Sequence, residues 1–494
     1  MQEGLYAIVG SAGRGALEAG YHLEDAAPFA VVAPSSESEV CALLEYTYSM
    51  RTPCLVAGGG THLTHLEPPE SAWWLLSTRR LNRVIDYAPQ DLVLTVGAGM
   101  TLQAVQDLLR EHQQYLPWNP ALPQQATIGG IVASNRAGSW RYRHGTPRDR
   151  LLAIRAVIPE GIAFKSGAKV VKSVAGYDLH RLLCGAWGTL AVLTEITLKV
   201  QPMPNYFEAV GWRTTWDALE PTLAELMQMP LQPDGMTVLT TRENEAQSGL
   251  SLASTSLETP PADLPQNGFP RAESTRVDAI ARLQLPTPRT EEKAHLGHIS
   301  AAATLLEPPP AVAPVSLLEP QTEPRTTTDS GTPAPYLLLE FSGLPEGVAW
   351  QIQQLRERGY PAEPVSEAML HQVRDWLAPR RHALLLQILM RPSEIADALM
   401  RWSELPGISA QAHAGSGVLY IAADESGLTD ALLQRVRALT AKYRVLRGTA
   451  WLRAHSGGEL PKLSLTDGER RLMQQIKATL DDRGILPSLI RGAG

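Results

Sequence analysis

Glycines recur in small clusters between residues 126 and 199: Gly129-Gly130, Gly138, Gly145, Gly176, Gly185 and Gly188. Each cluster lies beside an apolar run that reads as a strand. Glycine in such places lets the backbone turn with positive φ or lie directly against a ligand. Repeated along one stretch, the pattern suits an extended ligand better than a single small molecule. A further cluster, Gly58-Gly59-Gly60-Thr61-His62, follows the apolar run Pro53–Ala57. Consecutive amides without side chains can nest around phosphate oxygens; a plain flexible turn is the competing reading. His62 and His65 have the spacing of a metal pair, but no acidic third ligand stands near. They read as exposed loop histidines, and no metal is expected. Arg141, Arg143, Arg148 and Arg150 surround His144. They form either a solvated basic loop or charge balance for pyrophosphate or an acidic substrate.

These residues need elements to hold them. Phe29–Ala33 and Pro53–Ala57 read as strands. Between them Ser36 and Glu39 form a capping box for a helix to about Met50, with Val40, Leu43, Leu44 and Thr47 on one face. Trp73–Ser77 and Asp91–Gly97 read as strands, and 101–112 as a helix. The run 4–20 ends in Gly10, Gly13 and Gly15, but in the order GxxGxG, without the βαβ unit of a dinucleotide turn. Beyond residue 205, strands at 207–212 and 236–241 flank a helix at 216–228. Strands then follow at 336–341, 382–390, 417–422 and 444–453, with helices at 346–358, 392–403 and 427–442. Alternation of this kind suggests an α+β unit with an antiparallel sheet. Residues 243–335 are rich in Pro, Ser, Thr, Glu and Ala and poor in aromatics, which predicts a disordered insertion; the repeated LLEP within it reads as coincidence.

A chain of 494 residues calls for two or three domains. A net charge of −7 argues against nucleic acid as a partner. Cys41, Cys54 and Cys184 lack CxxC spacing and read as buried thiols in a reducing compartment. An iron–sulfur cluster takes about four thiolates, so this chain cannot ligate one alone. No charged leader precedes an apolar run, and no stretch reaches the roughly 18 apolar residues of a membrane span. A cytoplasmic protein is expected, reaching the inner face of the membrane only through partners.

Four motifs resemble the vanillyl-alcohol-oxidase family, the PCMH-type FAD-binding oxidoreductases. They are Thr127-Ile128-Gly129-Gly130; Arg148-Asp149 after Gly145; Val171-Lys172-Ser173-Val174-Ala175-Gly176-Tyr177-Asp178-Leu179; and Gly188-Thr189-Leu190-Ala191-Val192-Leu193-Thr194-Glu195. The third is most similar to the E subunit of bacterial glycolate oxidase. The sequence departs from the family at Ser173, where Asn is common, and at Ala191, where Gly is.

The resemblance implies an α+β fold: a two-lobed PCMH-type FAD-binding domain with an α+β cap domain carrying the disordered insertion. The expected boundaries are an extension (1–27), the FAD-binding domain (28–205), the cap (206–242 and 336–463) around the insertion (243–335), and a C-terminal return to the FAD domain (464–494). It implies FAD at Gly58, Gly59, Gly60, Thr61, His62, Thr127, Ile128, Gly129, Gly130, Gly138, Arg148, Asp149, Gly176, Gly188 and Val192. Arg148 and Asp149 would hold the loop under the flavin, leaving Arg141 or Arg143 more accessible. Thr61 stands where covalently linked relatives carry His, which implies noncovalent FAD.

Gln411–Tyr420 is similar to the GHAGDGNLH segment of catalytic relatives, but Ser416, Val418 and Tyr420 replace its Asp, Asn and last His. A lone His413 is a poor metal site, and a satisfied His413 in a turn between strands is the favoured reading. Catalytic candidates reduce to His413, Arg381 and His382. The family reading is an FAD-binding subunit acting beside a catalytic flavoprotein subunit and an iron–sulfur subunit of a glycolate oxidase complex, with a small 2-hydroxy acid as substrate. The alternatives are a self-sufficient FAD oxidase and a non-catalytic scaffold.

Overall fold

The computed structural model describes residues 1–15, 26–63, 66, 69, 71–169, 178–240, 334–439, 442–447, 449–456 and 465–488. The run before Gly10 is helical (α1, Gln2–Val9), which removes the strand that a dinucleotide turn would need. Strands β1 (Val31–Val32), β2 (Cys54–Ala57) and β3 (Trp74–Ser77) form a parallel sheet in the order β1-β3-β2. Helix α2 (Glu37–Met50) crosses between β1 and β2. Ser36 caps it, accepting the Glu39 amide at 3.2 Å. The Glu39 carboxylate closes on Ser35, one residue earlier than expected, taking its amide at 2.7 Å and its hydroxyl at 3.1 Å. Val40, Leu43 and Leu44 of α2 are fully buried against Trp74 and Leu76; each such side chain contributes about 1.5–3 kcal/mol of hydrophobic stabilisation.

The second lobe is an antiparallel sheet in the order β4-β5-β9-β7-β8, from β4 (Val84–Ala88), β5 (Val93–Gly97), β7 (Leu151–Val157), β8 (Ala163–Gly167) and β9 (Val192–Lys199). Helices α3 (Leu102–Arg110) and α4 (Ile128–Ser134) bury Leu102, Val105, Leu109, Ile128, Ile131 and Val132 in its core. A short ribbon of β6 (Gln114–Tyr115) and β10 (Gln201–Pro202) leads out of it. Glu37 ties the lobes together: its carboxylate pairs with Arg155 of β7 and accepts from Thr194 of β9 at 2.7 Å. The Arg155 guanidinium holds that carboxyl below its ordinary range.

The cap is an eight-stranded antiparallel sheet in the order β14-β11-β13-β12-β16-β17-β15-β18. Its strands are β11 (Tyr206–Arg213), β12 (Gly235–Thr240), β13 (Tyr336–Gly343), β14 (Glu363–Pro364), β15 (Leu384–Leu389), β16 (Ile408–His413), β17 (Val418–Ala423) and β18 (Lys442–Arg447). Helices Trp216–Gln228, Pro345–Glu357, Ile395–Ser403 and Asp430–Arg437 cover one face and form the largest core. The opposite face meets the two N-terminal lobes: Leu385, Val418, Tyr420, Ala422 and Leu446 pack with Leu55, Ala57, Leu63 and Trp187.

Two sequence expectations change here. The strand expected at 444–453 ends at Arg447, and Thr449–Ser456 is helical; a short apolar run does not distinguish the two states. Helix Glu367–Trp376 was not expected, and the strand ahead of the Gly415 turn, expected without bounds, runs over Ile408–His413. The insertion 243–335 lies outside the described residues except at its end. There Ala334 is buried and the Pro335 carbonyl accepts the Thr214 amide at 2.9 Å. Helix Asp467–Leu480 lies against the second lobe through Ile476 and Leu480. The Ile485 carbonyl then accepts the Cys54 amide at 2.7 Å, next to the start of β2.

Candidate cofactor and substrate site

Strand β2 opens into Gly58–Gly60, and this loop packs directly on the segment leading into α4. A Cβ on Gly58 would lie 2.0 Å from Thr127 Oγ1, and one on Gly59 1.7 Å from the Gln125 carbonyl oxygen. Gly60 has φ +70°. Thr127 caps α4 by accepting the Gly130 amide at 3.2 Å. A Cβ on Gly129 would strike the Ala98 carbonyl at 2.7 Å. At Gly130 the nearest atom is Thr127 Oγ1 at 3.2 Å, so its missing side chain leaves room in the pocket. Gly129 and Gly130 thus lie in the first turn of a helix, not beside a strand, and neither has positive φ. Close approach is the reason for glycine here. Apolar Ile128, Ile131 and Val132 behind a Thr cap have helical spacing, which outweighs the glycines.

The loop and α4 line one pocket with Thr61, His62, Trp187, Gly188 and Leu193. Thr61 is buried, its Oγ1 3.0 Å from His62 Nδ1, and His62 meets the Trp187 ring edge-on at 6.3 Å. Trp187 holds a left-handed backbone at φ +58°, an uncommon conformation for a bulky residue that favours functional sites. Val192 is buried at the start of β9. Gly138 approaches the Asn119 carbonyl, where a Cβ would lie at 2.3 Å. Asp149 closes a capping box on Thr146, at 2.7 Å to its amide, and the Arg148 amide donates to Asn135 Oδ1 at 3.1 Å. Gly176 and His65 lie outside the described residues. Arg143 is committed to the cap: its Nη1 donates to Asp234 at 3.1 Å and to the Ser342 carbonyl at 3.0 Å, with His144 Nε2 2.8 Å from the same carboxylate. Arg141 makes no salt bridge among the described residues.

The cap face above carries unsatisfied polar atoms. His413 on β16 is 1% exposed, and neither ring nitrogen has a hydrogen-bond partner among the described residues. The expectation of a satisfied His413 is therefore corrected; the strand–turn–strand around it holds, but its ring has no neighbour to bond. Burial above all, with Arg141 and Arg136 nearby, holds it down to about 3. Thr237 stands directly across from it, and Thr237 Oγ1 and Gln411 Oε1 are likewise without partners. Such groups are costly when buried dry, so the face suits a polar ligand. Glu340, overlooked in the apolar run of β13, is buried and accepts from Ser139 Oγ and Trp140 Nε1, each at 2.7 Å. Burial pushes its carboxyl up.

Arg381 and His382 do not join this group. His382 Nε2 lies 2.7 Å from the Trp376 carbonyl, and neither residue lines the glycine pocket. Trp187, absent from the sequence reading, does line it. Its place between Gly185 and Gly188 was the available signal.

A glycine-walled pocket, where backbone amides can close on phosphate oxygens, fits a phosphate-bearing cofactor. The family model for an FAD binding domain matches residues 28–167. Relatives of the chain include a D-lactate dehydrogenase of Archaeoglobus fulgidus, 34% identical over 35% of this chain and 39% of its own length. Glycolate oxidase subunit GlcE of Escherichia coli is 34% identical over 39% of this chain and 55% of its own. Glycolate oxidase subunit GlcD of Bacillus subtilis is 26% identical over 60% and 65%. The aligned part thus spans less than two thirds of each of these relatives. Among solved structures, p-cresol methylhydroxylase with substrate bound superposes with a TM-score of 0.62 at 14% identity, covering 98% of this chain and 94% of that one. A 4-ethylphenol oxidase from Gulosibacter chungangensis gives 0.61, also at 14% identity, over 98% and 95%. At that identity the likeness is one of fold. Gly58–Thr61, Thr127, Gly129, Gly130, Trp187 and Gly188 line this pocket.

Proposed function

We propose that this chain is an FAD-dependent oxidoreductase subunit, working in a complex that oxidises glycolate or a similar 2-hydroxy acid to the 2-oxo acid. Its partners would be a catalytic flavoprotein subunit and an iron–sulfur subunit. FAD, held by the Gly58–Thr61 loop and the start of α4, would supply the hydride acceptor. A base must then take the hydroxyl proton, and the observation that carries the reading is the state of His413. The imidazole in the cap segment is buried, unpaired and held down to about 3, so it cannot act as an efficient base near neutral pH. Loss of a positioned base typically costs about 10²–10⁴-fold in rate. The similarity to GlcE over the FAD lobes supports the same reading.

The test is anaerobic stopped-flow absorbance of the isolated, FAD-loaded chain mixed with glycolate. Slow or absent bleaching, restored on adding the partner subunits, is the expected result. Fast, saturable bleaching of the chain alone would replace this reading with a self-sufficient enzyme.

A further inference from the structure

A cavity of about 1030 Å³ lies beyond the far end of α4, under β15 and β18 of the cap and beside helix Asp467–Leu480. It shares only Ser134 with the glycine pocket. Helix α4 is seven residues long, about 10 Å at the helical rise, so the cavity lies about that far from the Thr127 end, where the Gly58–Gly60 loop packs.

Its wall carries seven cationic side chains against two carboxylates, Asp481 and Asp482, and Asp482 accepts from the Tyr48 hydroxyl at 2.8 Å. Lys477 is paired with Asp481, Lys442 with Glu469, and Arg181 with Asp178. Arg136, Arg141, Arg148 and Arg444 also line it and make no salt bridge among the described residues. Arg136 Nη1 is closed off from solvent with no hydrogen-bond partner. Its guanidinium lies over the Tyr420 ring at 5.4 Å, and that of Arg444 over Trp187 at 5.3 Å. The rings fix both planes without neutralising either charge. Burial lowers Arg136, and burial with Arg136 as neighbour brings Arg444 down to about 10. Like charges crowded out of water are unfavourable unless a counter-charge joins them.

We propose that this cavity binds a short dicarboxylate, with Arg136 and Arg444 gripping one carboxylate and Arg141 and Arg148 facing the other. The planar guanidinium fork matches a carboxylate in two parallel hydrogen bonds. Unpaired arginines on this scale exceed what one negative charge can balance. Leu190, Leu389 and Ile476 on the same wall give a methylene chain apolar contact that inorganic phosphate would not use. The inference goes beyond the proposed reaction and holds whichever subunit carries out the oxidation.

The test is calorimetric titration of the full-length, FAD-loaded chain with glutarate, butyrate and inorganic phosphate. Glutarate cannot be oxidised at a hydroxyl, so the outcome is independent of glycolate turnover. Glutarate is expected to bind saturably and at least about tenfold tighter than butyrate or phosphate. Arg136→Met and Arg444→Gln should each weaken it by about tenfold or more while leaving flavin content unchanged. Arg136→Met should also raise the melting temperature without ligand, because it removes an unpaired charge. Arg141→Gln, on the same wall and outside the residues assigned to FAD, checks the second carboxylate if either inner variant fails to fold. Equal binding of glutarate and butyrate, preference for phosphate, no binding, or loss of flavin from the arginine variants would each overturn the proposal.

Discussion

A single imidazole shows how position changes a side chain's chemistry. His413 titrates near 6.5 when unfolded and near 3 in the fold. The unfolded chain therefore binds the extra proton first as pH falls. Stability from this group is complete above about pH 6.5 and lost progressively toward pH 3, at up to about 1.4 kcal/mol per unit. Burial also lowers His180 and His382, which act in the same direction. His413→Leu should flatten the decline between pH 7 and pH 5 by about 2 kcal/mol, measured by urea denaturation at both values. An unchanged slope would show that His413 has a partner for its proton. The glycines act by space instead. Gly130→Val places a branched side chain where only Thr127 Oγ1 is near. It should yield folded protein without flavin absorbance at 450 nm-type wavelengths, while Gly59→Val, aimed at the Gln125 carbonyl, should not fold. Full flavin content in Gly130→Val would place the cofactor elsewhere.

At the scale of elements, the C-terminal segment is a clamp. Lys477 Nζ donates to the Thr189 carbonyl at 2.7 Å, the Leu486 carbonyl at 3.0 Å and the Asp481 carboxylate. Asp481 in turn accepts the Ile485 and Leu486 amides, each at 2.8 Å. The clamp therefore reaches the Gly185–Leu190 turn on one side and the edge of β2 on the other. Lys477→Met leaves a buried carboxylate without its cation and should cost about 3–5 kcal/mol. Hydrogen exchange should show faster exchange at Ile485 and Leu486 than in the parent protein. The amphipathic elements were legible because their periods are local: Val40, Leu43 and Leu44 mark one face of α2, and Trp216–Gln228 reads as a helix without any knowledge of its neighbours. The bounds of β16 were not legible because its side chains are buried on both faces, which erases alternation.

For the whole molecule, the cap sheet lies with one face in its own helical core and the other against the FAD lobes. Flavin bound between such surfaces would be held by shape and hydrogen bonds, with Thr61 offering no imidazole to its ring. Acid precipitation should release all flavin to the supernatant; yellow pellet after washing would show a covalent link. No helix among the described residues is long and apolar enough to cross a membrane.

What the sequence determined by itself was the cradle and its cofactor. The glycine runs at 58–60 and 129–130 announce backbone that must touch something, and close contact is written in residue type. It also named His413 as the cap residue to watch. Only the tertiary structure decided what surrounds that ring. Whether an imidazole finds a partner depends on Thr237, Arg136 and Arg141, which come to it from strands and loops far apart in the chain. The same holds for the cationic cavity. Arg136 and Arg444 are 308 positions apart by subtraction of their numbers, and their shared field exists only once β18 folds over the end of α4. Charge in a sequence is a count, whereas charge in a fold depends on distance and on exclusion of water.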